Sequence, residues 1–103
     1  MSSPIERPAE PAVHLAWSKG GHAEVVSVES DAIVLRSTTS APPGARLEAR
    51  LAVEGEPPAP VKIKSYGTHR EEDGSFTLKG RLIDATRELR ERLAALATSR
   101  APG

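Results

Sequence analysis

Apolar and charged side chains alternate one for one over three stretches of this chain, and then the period changes once. In residues 45–53, Leu47, Ala49, Leu51 and Val53 fall on one side and Arg46, Glu48 and Arg50 on the other. In 61–69, Val61 and Ile63 oppose Lys62 and Lys64. In 75–83, Phe76, Leu78, Gly80 and Leu82 share a face, and Lys79 and Arg81 share its reverse. Side chains of a strand point to opposite faces in turn, so this pattern predicts half-buried antiparallel strands. Pro42-Pro43-Gly44 and the prolines of 55–60 cannot continue a hydrogen-bonded ladder, and they mark loops. Asp73-Gly74 marks a hairpin turn, because Gly accepts a positive φ.

Three more strands are expected earlier in the chain. Residues 22–29 carry Val25, Val26 and Val28, and 32–36 carry Ile33, Val34 and Leu35, with a turn at Glu29-Ser30-Asp31 between them. Residues 13–19 place Leu15 and Trp17 on one face and end in a turn at Lys19-Gly20-Gly21. From 84 to 97 the spacing becomes helical, with Leu89, Leu93 and Leu96 at i, i+4 and i+7. Asp84 or Thr86 is suited to accept an amide hydrogen bond as the helix cap. Glu88 and Arg92 are spaced for a favourable i, i+4 pair. The leucine face is expected to cover the open end of the sheet. Regular short strands with breakers between them favour a small barrel over a parallel α/β fold. The expectation is therefore mainly β: a six-stranded antiparallel barrel with one C-terminal helix over residues 13–97. Residues 1–12, with Pro4, Pro8 and Pro11, read as a flexible arm, and 98–103 as a frayed tail. There is no internal repeat and no sustained heptad.

Composition limits the function. A chain of 103 residues suits one small domain. Leu, Ile, Val and Phe make up about a fifth of it, so the core is modest. Fourteen basic residues balance 14 acidic ones, which gives no long-range attraction for nucleic acid or anionic membranes. With no Cys, thiolate metal sites, disulfides and cysteine nucleophiles are excluded. No apolar run approaches a membrane span of about 20 residues. The first residues lack an apolar h-region, so a cytoplasmic location is expected.

Three stretches together resemble the PilZ domain, a bacterial six-stranded barrel with a C-terminal helix. They are Ala23 through Leu35, Pro42 through Leu51, and Gly80-Arg81-Leu82-Ile83-Asp84 leading into the helix. The resemblance spans about residues 13–97. It implies a role in signalling that governs pili, flagella, surface motility or polysaccharide output, and a cyclic di-GMP ligand. That ligand is bound in the family through RxxxR in the arm and [D/N]xSxxG at the start of the barrel. Arginine binds phosphate and stacks on guanine, and glycine admits close backbone approach. Here Arg7 is the arm's one arginine, with Ser3 four residues before it and Pro11 four after. Ser27 stands where Asp or Asn belongs, Glu29 where the Ser belongs, and Ala32 where the Gly belongs. Moving the register by two residues sets Glu29 and Asp31 on the motif but still leaves Ala or Val in place of Gly. Glu29 adds a negative charge beside an anionic dinucleotide. The dinucleotide position is degenerate, and degenerate members of such pathways act by binding a partner protein. The leading expectation is a non-enzymatic adaptor without a cofactor.

Two other functions are consistent with the residues. One is a cyclic di-GMP receptor with a variant site built on Arg7, Ser27 and Arg36. The other is a nucleic-acid binder using Lys62, Lys64, Lys79 and Arg81, which cluster if their strands pair, with Tyr66 nearby. One Tyr, one Trp and one Phe make a stacking platform hard to build, so solvated strand faces are the simpler reading. His14, His22 and His69 lack metal-ligand spacing and read as strand and loop residues. Ser27, His69 and Asp31 form a triad only on paper, since no nucleophile elbow accompanies them. Gly20-Gly21 and Gly44 are turn residues, because no phosphate-loop motif surrounds them. Trp17 is either core or an interface anchor.

Overall fold

The structure, a computed structural model, describes residues 13–53, 55 and 57–99. The arm with Arg7, and the tail from residue 100 onward, lie outside the described residues. Six strands and one helix follow in order: β1 Leu15–Trp17, β2 His22–Glu29, β3 Ala32–Ser37, β4 Arg46–Leu51, β5 Pro60–Arg70, β6 Phe76–Ile83 and α1 Arg87–Ser99. All neighbouring strands run antiparallel, and they close into a barrel in the order β1-β2-β3-β6-β5-β4. The expected six-stranded barrel with a C-terminal helix is what the chain forms.

The alternation decides which side chains fill the barrel. Leu15, Val25, Ile33, Leu35, Val61, Ile63, Leu78 and Leu82 are buried, whereas Arg46, Glu48, Lys62, Lys64, Lys79 and Arg81 are exposed. Two bulges interrupt the register. Val26 is the extra residue in β2 opposite β3, and Tyr66 is the extra residue in β5 opposite β6. A bulge bends its strand and sharpens the local twist, which a small closed barrel requires. Gly80 sits across from the second bulge, paired with Ser65 and with Ile33 on the other side. A Cβ at Gly80 would lie 2.6 Å from the Lys64 carbonyl oxygen and 2.8 Å from Ile63 Cγ2. The inward position that the alternation leaves without a side chain is thus filled by the neighbouring backbone.

The helix starts later and ends later than its periodicity suggests. Asp84 has φ 54°, a left-handed conformation that ends β6 and turns the chain. Thr86 is the cap: its Oγ1 accepts the N–H of Leu89 at 3.1 Å, and its carbonyl accepts the N–H of Arg90 at 3.0 Å. The helix continues through Ser99, two residues into the expected tail. Leu93 is fully buried, and Leu89, Leu96 and Ala97 pack against the core. Arg90 Nη1 donates to Asp31 Oδ1 at 2.8 Å in the β2–β3 turn, and Arg92 Nη2 donates to the Pro57 carbonyl at 2.8 Å before β5. These contacts lay α1 across one end of the barrel, as its leucine face predicts. On the exposed side, Arg87 pairs with Glu91 at 3.1 Å.

Candidate functional site

Three surfaces of the barrel carry chemistry. The first is the outer face of β2 and β3, where the degenerate motif falls. Ser27 is exposed just beyond the bulge, opposite Val34, and Glu29 and Ala32 are exposed directly opposite each other. Arg36 shares that face but lies at the far end of β3, opposite Glu24 and Thr77. Its guanidinium is already engaged: Nη2 donates to Asp73 Oδ2 at 3.3 Å and Nε donates to Ser75 Oγ at 3.3 Å. Of the candidate ligand residues, Ser27, Glu29 and Ala32 are brought together, and Arg36 is held apart from them.

Asp73 organises that far end. Its Oδ1 accepts both the hydroxyl of Ser75 at 2.6 Å and the Ser75 N–H at 2.9 Å. The Ser75 hydroxyl, then its N–H, hold the Asp73 carboxyl below the usual carboxylate range; partial burial opposes them, and Arg36 adds to the lowering. The turn itself is closed by Glu71 N–H to Ser75 carbonyl at 2.8 Å and Gly74 N–H to Glu71 carbonyl at 3.1 Å. Arg36 and Asp73 therefore lock the β5–β6 hairpin onto β3.

The second surface is the outer face of β4, β5 and β6. Arg46 lies directly opposite Lys64, and Lys64 directly opposite Arg81. Strands of a sheet lie about 4.8 Å apart, so three cations stand in one transverse row about 10 Å long. Lys79 and Lys62 are exposed in the flanking rows, opposite Gly67 and Ile83. Tyr66 is 57% exposed on the same strand as Lys64. A shallow depression of about 360 Å³ lies beside the row, and Arg46, Lys64, Arg81, Asp84 and Arg90 all border it. The clustering of Lys62, Lys64, Lys79 and Arg81 is as expected for paired strands. Arg46 was not grouped with them in the sequence, because only the β4–β5 register puts it beside Lys64.

The third surface follows from the shortness of β1. Its seam with β4 ends where the Ser18 N–H donates to the Glu48 carbonyl at 2.9 Å. Past that bond a cleft of about 410 Å³ opens, lined by Trp17, Thr39, Ala41, Leu47 and Leu78. Trp17 is only 8% exposed, and its Nε1–H donates to Ser37 Oγ at 2.9 Å. Trp17 is thus a core residue whose polar atom is satisfied inside the barrel.

The histidines and the paper triad are scattered. His14 Nδ1 accepts the Val25 N–H at 2.9 Å, a structural bond at the β1–β2 seam. His22 lies on β2 opposite Ala16, and His69 on β5 opposite Thr77. Among the described residues, no group of three His, Asp or Glu side chains could hold a metal ion. Ser27 and His69 are separated by β3 and β6 and stand in different rows, and Asp31 is bound to Arg90. No helix among the described residues is long and apolar enough to cross a membrane. No protein-family model, curated protein or solved structure matches this chain.

Proposed function

We propose that this chain is a non-enzymatic adaptor of PilZ type, which acts in bacterial regulation by binding a partner protein in the cytoplasm. In this reading it does not take cyclic di-GMP at the family's position. One observation supports the reading above the others. At the β2–β3 face the only arginine, Arg36, is engaged by Asp73 and Ser75, while Glu29 stands exposed among the motif positions. A bis-phosphate ligand there meets a free carboxylate and no available guanidinium from the hairpin. β3 is paired along its length on both sides, by β2 and by β6, so contact with another protein at β3 falls to side chains.

Calorimetric titration with cyclic di-GMP at physiological salt tests this directly. The expected result is no heat and no thermal shift. Micromolar or tighter binding that is lost in Arg7→Ala would place the receptor reading first and overturn the adaptor.

A further inference from the structure

Three ion pairs form among the described residues, and none of them involves the row across β4, β5 and β6. Arg36 meets Asp73, Arg90 meets Asp31, and Arg87 meets Glu91. Arg46, Lys64 and Arg81 have no hydrogen bond or ion pair to any side chain among the described residues, although the whole chain has net charge +0. Like charges directly opposite on neighbouring strands repel, and here two such pairs adjoin in one row. The row therefore works against the fold until a counter-charge arrives. A bound anion would turn that repulsion into attraction.

From this geometry we infer that the Arg46–Lys64–Arg81 row docks a short acidic segment of a partner protein, with two or three carboxylates meeting the three cations. This rests on the adaptor reading and names the chemistry of its partner. The size of the patch favours a short segment over a nucleic acid. Glu29 continues the row beyond Ala32, Glu48 lies opposite Lys62, and Asp84 borders the depression. A phosphate chain extended past the three cations would run into these carboxylates. A peptide places its charges only where the cations are. The depression of about 360 Å³ is bordered by Asp31 and Asp84 as well as by the cations, so it offers a seat to an uncharged side chain of the peptide, next to the carboxylates that meet the row. Tyr66 is the single exposed aromatic on this face, too few to stack successive bases.

The test is fluorescence anisotropy with two labelled probes, a peptide with three central glutamates flanked by Gly and Ser and a short oligothymidylate, titrated with the full chain at several salt concentrations. The acidic peptide is expected to bind more tightly than the oligonucleotide, with affinity that falls as salt rises. Lys64→Glu is expected to weaken the peptide by about tenfold or more, because it puts a carboxylate at the centre of the row. The same variant should melt no lower than the parent, since it replaces two repulsive neighbours with two attractive ones. Lys19→Glu, in the β1–β2 turn, makes the same change in net charge and should leave peptide affinity unchanged. Tighter binding of the oligonucleotide would overturn the inference in favour of nucleic acid. Equal weakening by Lys64→Glu and Lys19→Glu, or no binding of the peptide, would overturn it outright. The cyclic di-GMP titration reads a different face, so the adaptor reading stands or falls separately.

Discussion

Gly80→Ala is a severe change at a position that looks permissive. Gly80 is buried in the middle of β6, and its neighbours are backbone on one side and a buried isoleucine on the other. An added methyl meets the Lys64 carbonyl oxygen at 2.6 Å and Ile63 Cγ2 at 2.8 Å, both closer than a real Cβ tolerates. The carbonyl belongs to the segment just before the Tyr66 bulge, so it can yield only if β5 shifts against β6. Overpacking of this kind costs about 1–3 kcal/mol. The stiffer unfolded chain returns about 0.4–1 kcal/mol. A net loss centred on about 1.3 kcal/mol remains, and at 4–8 °C per kcal/mol for a domain of this size Tm falls by roughly 5–10 °C. Thermal melting by circular dichroism reads the shift, and urea titration should show a lower midpoint with an unchanged slope. A Tm equal to the parent's would refute the reasoning, because the two strands would then have room that the close approach denies.

Two further outcomes follow from the polar contacts. Ser37→Ala removes the acceptor of the Trp17 Nε1–H and of the Thr39 N–H, both bonded to Ser37 Oγ within 3.0 Å. Stranding a buried donor costs about 1–3 kcal/mol, so urea unfolding followed by Trp17 emission should show an earlier midpoint; an unchanged midpoint counts against the bond. Asp73 has its folded pKa held below the unfolded value, so its contribution is complete above the unfolded pKa and is lost as pH falls through the folded one. The Tm gap between the parent and Asp73→Asn should therefore be widest near neutral pH and close as the solution becomes strongly acidic. A gap that is constant with pH would show that the carboxylate's charge is irrelevant.

What could be read from the sequence was whatever depends on near neighbours. Alternation at Arg46 through Leu51 and at Val61 through Lys64 is a local property, and it placed the core correctly. The helix start shows the limit of such reading. Asp84 and Thr86 are both good caps by residue type, and the choice falls to Thr86 because Asp84 adopts a left-handed backbone to leave β6. Trp17 was undecided because its partner, Ser37, is 20 residues away. The cationic row was half visible. Lys64 and Arg81 were expected on one face, but Arg46 joins them only through the β4–β5 register, and the bulge at Tyr66 sets how Lys79 falls beside them. Register depends on bulges and on non-local pairing, which single-strand periodicity does not encode.

The strand order also governs how the chain is made. β1, β2 and β3 form one meander and β4, β5 and β6 another, and the two meet only at the β3–β6 and β1–β4 seams. Between the last residue of β3 and the first of β6 lie about forty residues. At a synthesis rate of 5–20 residues per second, β3 waits roughly 2–8 s on the ribosome for its second neighbour. During that interval its Ile33-Val34-Leu35 run borders an unpaired row of N–H and C=O groups, a template for pairing with any other nascent strand. The mature barrel presents no such edge on β3, so the chain's exposure to aggregation is concentrated in its birth, and the slow formation of this one distant seam sets how long that exposure lasts.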